Sequence, residues 1–150
     1  GGKEAKYDLL LRQIVATVEG EKDIIARMAN IAAMIHHTFG FWWTGFYRVA
    51  DNELVLGPFQ GPMACSRIAY GRGVCGTAWA TKTTQVVPDV ESFPEHIACS
   101  SLSRSEIVVP VWQDDHIVAV LDIDSEKLAT FDDTDRKWLE RIVAALVKVD

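Results

Sequence analysis

S-E-I-V-V-P-V-W-Q-D-D-H-I-V-A-V-L-D-I-D, residues 105–124, is the stretch that decides the fold. Ile107–Trp112 and Ile117–Ile123 are rich in Val and Ile, the composition of strands. Gln113-Asp114-Asp115 supplies the turn between them, and strands joined by so short a turn run antiparallel. Pro110 cannot donate to a ladder, so that point is a bulge or a sheet edge. A turn of about two to four residues places Asp122, Ile123 or Asp124 opposite Glu106. Side chains alternate along a strand, so Asp122 and Asp124 share one face and Glu106 lands beside one or both. Like charges directly opposite repel. Either the three carboxylates sit at the solvent end of the hairpin, or they bind a cation such as an ammonium group, or one of them carries a raised pKa and serves as an acid. The usual calcium-loop pattern is missing.

Upstream, Phe41–Val49 (F-W-W-T-G-F-Y-R-V) reads as another strand, Asp51-Asn52 as a turn, and Glu53–Leu56 as the returning strand, ended by Gly57-Pro58. A short strand is expected over Ala64–Ile68 and a short helix over Cys75–Lys82. Residues 88–103 show no period and read as a long functional loop. Residues 4–19 and 22–39 carry the apolar stripe of amphipathic helices, and Gly40 stops the second. A last helix begins near Asp132, where Asp132-x-x-Asp135 resembles a capping box, and buries Trp138, Leu139, Ile142, Val143 and Leu146. The pattern predicts an α+β domain over residues 1–150. A central antiparallel sheet of about six strands carries the N- and C-terminal helices on one face.

The chain has 150 residues, 49% hydrophobic and 24% charged, with a net charge of −6. That is the profile of an ordinary soluble domain. No Lys/Arg-rich run suggests nucleic acid, and no apolar stretch approaches the roughly 20 residues that span a bilayer. No secretory leader is evident, so a reducing cytoplasm is the expected compartment.

The three cysteines, Cys65, Cys75 and Cys99, cannot all pair within the chain, and none lies within the short spacing of zinc motifs. A Cys3His site assembled with His96 is a minor alternative. Burial as a small hydrophobe suits Cys75, which opens a helical segment. Cys99 lies in a Pro- and Ser-rich loop, where reactive groups are displayed, with His96 and Arg104 as local cations. Trp43 and Tyr47 share one face of their strand, Trp42 and Phe46 the other; one pair is core and the other can wall a pocket.

Four runs together resemble the free methionine-(R)-sulfoxide reductases, stand-alone GAF-domain enzymes. They are G-P-x-A-C-x-R-I-x-x-G-x-G-V-C-G at Gly61–Gly76, V-P-D-V at 87–90, F-P-x-H-I-A-C at Phe93–Cys99 and S-x-S-E-I-V-V-P at Ser103–Pro110. The resemblance implies reduction of the R epimer of the free amino acid. It implies Cys99 as the attacking cysteine, Cys65 as the one that closes a disulfide onto it, and Cys75 in a secondary role. It implies Glu106, Asp122 and Asp124 as the groups that bind the substrate ammonium and assist catalysis, and Trp43 and Tyr47 as the wall around the sulfoxide methyl. Thioredoxin is the implied reductant, with no metal or organic cofactor. The sequence leaves two roles open for the N-terminal helices, a homodimer face or a cover for the sheet. Glu95 and Ser100 depart from the family pattern, which usually has Gly and Asp there. A small-ligand-binding module and a redox sensor without turnover are the rival readings of the same domain.

Overall fold

The structure is a computed structural model describing residues 2–96, 99 and 102–148. In chain order it comprises helices α1 (Gly2–Val18) and α2 (Ile24–Phe39), strands β1 (Trp43–Ala50), β2 (Glu53–Gln60) and β3 (Arg67–Ala69), and helix α3 (Gly73–Thr81). Strand β4 (Gln85–Val87), a 3-10 turn (Val90–Ser92), β5 (Ser105–Gln113), β6 (His116–Ser125) and α4 (Asp133–Val147) follow. The six strands form one antiparallel sheet in the order β3-β2-β1-β6-β5-β4.

Local chemistry sets the ends of these elements. Asp23 caps α2 by accepting from the backbone N–H groups of Ile25 and Ala26. Gly40 closes it in the left-handed region, φ 67°, donating to the His36 carbonyl. The capping box at α4 is present, with Asp132 and Asp135 each accepting from the other's backbone N–H. Both central hairpins turn on two residues with positive φ, Asp51-Asn52 and Asp114-Asp115, the backbone of the turn that suits the strand twist.

The period-two alternation of β1, β5 and β6 separates two cores. Phe46, Ile107, Val109, Val111, Ala119, Leu121 and Ile123 face α1, α2 and α4. Trp43, Tyr47, Val108 and Val120 face the other way, toward Val74, Cys75 and Ala78 of α3. The terminal helices thus cover one side, and α3 with the loops around it covers the other. Burying each of the large side chains contributes about 1.5–3 kcal/mol.

Several boundaries differ from the sequence reading. Gly57-Pro58 does not end β2. Tyr47 pairs with Leu56 and Gly45 with Phe59, so Gly57 and Pro58 together oppose Phe46 as a β-bulge, and the strand continues to Gln60. Pro110 lies beyond the three residues of β5 that pair with β4, where the missing N–H removes no ladder bond to that strand. The third strand is Arg67–Ala69 rather than Ala64–Ile68, and the short helix starts earlier, at Gly73. The segment read as loop from residue 88 contains the 3-10 turn, capped by Asp89. The adjoining three-residue β4 is too short to show a period.

Candidate active site

The hairpin register pairs Glu106 with Asp124 and Val108 with Asp122, which places all three carboxylates on the α3 side of the sheet. They are not at a solvent end. Glu106 and Asp122 are each only 6% exposed, and Asp124 is half-buried. On the neighbouring strand Trp43 pairs with Asp124 and Gly45 with Asp122, so the aromatics of β1 stand beside the acids.

These groups line one cleft. Its floor is Glu106, Asp122, Asp124 and Cys75, its aromatic wall is Trp43 and Tyr47, and Cys99 and His96 lie at its other side. Cys65 does not line it but is bonded to Cys99 in a disulfide, with the two Cα atoms 5.4 Å apart and 34 residues between them in sequence. That bond rules out the alternative of three cysteines and a histidine around zinc in this form, because two of the sulfurs are already joined.

Trp43 and Tyr47 do more than wall the cleft. The Trp43 indole N–H donates to the Pro62 carbonyl at 3.0 Å, and the Tyr47 hydroxyl donates to the Cys65 carbonyl at 2.8 Å. The polar ends of the two aromatics therefore hold the loop that carries Cys65. Their rings stack on each other and, for Trp43, on Phe59. Gly45 makes this possible. A Cβ there would stand 2.6 Å from the Trp43 ring and collide with the Phe59 Cβ. Gly45→Ala is therefore expected to cost about 1–3 kcal/mol of stability by overpacking. Urea unfolding followed by tryptophan fluorescence checks this. An unchanged midpoint would show that the ring has free space to move into.

The electrostatics follow from burial. Desolvation, and then the charge of Asp122, push the Glu106 and Asp124 carboxyls well above the ordinary carboxylate range. Asp122 is raised as well, by burial, but hydrogen bonding from Glu106, Asp124 and Cys75 offsets part of this. Burial and then Asp122 and Glu106 also raise the Cys75 thiol well above its usual value, so it is a protonated thiol rather than a nucleophile in waiting. The Tyr47 hydroxyl is raised too, by burial first and Asp122 next, and stays neutral.

Two expectations about the cations need correction. Burial lowers the His96 pKa, so at neutral pH the imidazole is uncharged. Arg104 is exposed and does not reach the cleft; its backbone is held by Ser125 and Val90 instead. The positive side of the cleft is Arg72 and the first turn of α3, Gly73 and Val74. Arg72 is the N-cap and gives no side-chain cap, so the helix end meets the cleft uncapped by a side chain.

Ser103, Met63, Ala64 and Ile68 also line the cleft and were not singled out from sequence. Ser103 donates to Asp124 at 3.4 Å. Ser103 opens the S-x-S-E-I-V-V-P run, but the run by itself assigns it no contact with Asp124. Glu95 adopts φ 58°, the left-handed region that favours glycine. Its carboxylate lies 3.9 Å from Arg72, an exposed and weak ion pair. Ser100 lies outside the described residues.

The antiparallel sheet carries the terminal helices on one face and an acidic, aromatic-walled cleft on the other. The GAF domain model matches residues 23–149, and the chain belongs to that family. Within it, the chain belongs to the free methionine-R-sulfoxide reductases. It is 46% identical over 144 residues to the free methionine-R-sulfoxide reductase of Escherichia coli, covering 95% of this chain and 87% of that one. Its fold matches the free methionine-R-sulfoxide reductase of Neisseria meningitidis, solved in complex with its substrate, with a TM-score of 0.94 and 54% identity. That match covers 96% of this chain and 87% of the other. The reduced form of the Staphylococcus aureus fRMsr matches with a TM-score of 0.92 and 47% identity, covering 94% and 92%.

Proposed function

We infer that the chain is an oxidoreductase that reduces free methionine-(R)-sulfoxide to methionine with its own thiols. The observation that carries this reading is the Cys65–Cys99 bond at the edge of an acidic, aromatic-walled cleft.

The reaction is assigned as follows. The Cys99 thiolate attacks the sulfoxide sulfur, and a proton from a cleft carboxyl goes to the sulfoxide oxygen. The oxygen ends on Cys99 as a sulfenic acid while methionine leaves, so Cys99 loses two electrons and the substrate sulfur gains them. The Cys65 thiol then displaces hydroxide from that sulfenic acid, forming the disulfide and releasing water. Glu106 is the favoured acid, because burial and the neighbouring Asp122 charge raise its pKa and favour its protonated form. Asp122 and Asp124 take the substrate ammonium, and Trp43 and Tyr47 enclose the methyl group. The uncapped start of α3 beside Arg72 suits the substrate carboxylate. Cys75 has a secondary role, packed against the acids. A residue within a peptide lacks the free ammonium and leaves these carboxylates unpaired, which accounts for selectivity toward the free amino acid.

Thioredoxin is the proposed reductant, exchanging with the disulfide, and this fits a cytoplasmic protein. Among the described residues no helix is long and apolar enough to cross a membrane. The exposed Leu9 and Val15 of α1 support a homodimer through the N-terminal helices.

A coupled assay tests the activity. NADPH should be consumed with thioredoxin and its reductase when the free R-sulfoxide is added, and not with the S epimer. A domain that only senses redox state would form its disulfide with peroxide and leave the sulfoxide unconsumed. Cys65→Ser is expected to release about one methionine per chain and then stall with thioredoxin, because the sulfenic acid has lost its partner. Full-rate recycling by that variant would move the resolving role to Cys75.

A further inference from the structure

The floor of the cleft has a second property that reduction of a sulfoxide does not require. The Cys75 sulfur and one carboxylate oxygen each from Glu106 and Asp122 lie within 4.8 Å of one another. All three residues are more than nine-tenths buried, with 4% exposure for Cys75 and 6% for each acid. Asp122 Oδ1 is buried and has no hydrogen-bond partner. None of the three carboxylates has a Lys or Arg partner among the described residues. A buried carboxylate oxygen left without a donor is costly, and it lies on a cleft open to small solutes.

We propose that Cys75, Glu106 and Asp122 form a binding site for a borderline-soft divalent cation of the Zn2+ class. The donor set selects the ion. One thiolate and two carboxylates suit Zn2+ and Co2+, whereas Mg2+ and Ca2+ take oxygen ligands alone. Three side chains from three elements, α3, β5 and β6, leave the remaining coordination positions toward the cleft. Binding breaks the Cys75 S–H bond and forms a sulfur–metal bond, and the proton goes to solvent. The ion removes the desolvated charge that otherwise accumulates on the acids. The two carboxylates are then no longer available to a substrate ammonium, so such an ion blocks the cleft. That consequence rests on the function proposed above; the site itself does not.

The disulfide form makes the test clean. With Cys65 joined to Cys99, Cys75 is the only free thiol. Metal-free oxidised protein is titrated with Co2+ and the near-ultraviolet thiolate-to-cobalt charge-transfer band is followed. The expected result is a band that saturates at about one equivalent and is bleached by about one equivalent of Zn2+, which binds more tightly than Co2+. Cys75→Ser should give no band, and Asp122→Asn should raise the titration midpoint by about tenfold or more. The Zn2+ displacement uses the unaltered chain, so it stands even where a variant folds poorly. Absence of the band in the wild type overturns the proposal, as does a midpoint that Asp122→Asn leaves unchanged. Sulfoxide turnover measured with a chelator present tests the enzyme reading separately.

Discussion

Cys99→Ser is expected to lower turnover of free methionine-(R)-sulfoxide by at least about 10³-fold, to the background of the assay. A hydroxyl at neutral pH is a far weaker nucleophile than a thiolate, and it has no sulfur on which a sulfenic acid can form. The variant also loses the Cys65–Cys99 bond, which closes a 34-residue separation. A disulfide of this kind stabilises by about 2–4 kcal/mol, mainly through the unfolded chain. The comparison must therefore be with wild-type protein in its reduced form, which lacks the same constraint. The account predicts equal unfolding midpoints for those two and a large difference in activity. Residual turnover within tenfold of wild type would assign the attack to another sulfur, Cys65 or Cys75.

Asp124→Asn separates stability from function in the opposite direction. Asp124 sits directly opposite Glu106 in the hairpin and is half-buried beside Asp122. Its pKa is raised well above the usual value, by burial first and the Asp122 charge second. A carboxyl that holds its proton more tightly folded than unfolded stabilises the fold at low pH, and that contribution is lost as pH rises through the folded pKa. Above that folded pKa the ionised cluster works against the fold. An amide cannot ionise, so the variant should be as stable as wild type or more so, by up to about 1 kcal/mol. That corresponds to roughly 2–4 °C in Tm for a chain of this size. Its advantage should shrink on acidification, as the wild-type cluster regains its protons. Catalytic efficiency should fall by about 10²-fold or more, because the substrate ammonium loses one charged partner in a desolvated site. Thermal unfolding at acidic and neutral pH, together with kcat/KM, measures both effects. Normal efficiency in Asp124→Asn would remove this residue from the ammonium site.

The strand pattern shows why so much of the site could be read from the chain. Asp122 and Asp124 fall on one face by alternation alone, and the observed register, Glu106 opposite Asp124, lies within the range the short turn allows and brings Glu106 to that face. The helix caps at Asp132 and Gly40 are equally local. What alternation cannot decide is which face is which. Trp43 and Tyr47 turn toward the cleft because Phe46 is taken by the helix-side core, a fact of tertiary packing. The burial of the acids is likewise invisible locally, since part of their cover is α3, distant in sequence. The tethers from Trp43 to Pro62 and from Tyr47 to Cys65 end on backbone carbonyls, which leave no residue signature. His96 is the clearest failure. Its place beside Cys99 suggests a cation, and its burial makes it neutral. Gly57-Pro58 misleads for a related reason, because a bulge opposite Phe46 absorbs residues that would otherwise end a strand.

The central claim is that Cys99 and Cys65 together accept the oxygen of one substrate and finish as a disulfide. Fully reduced protein has three thiols, one for each cysteine. It is mixed with one equivalent of free methionine-(R)-sulfoxide and no other reductant, and thiols and methionine are counted. The account predicts one methionine released, one thiol left, and Cys65 joined to Cys99 in the peptide map, as in the structure. Three thiols remaining with no methionine formed would contradict it.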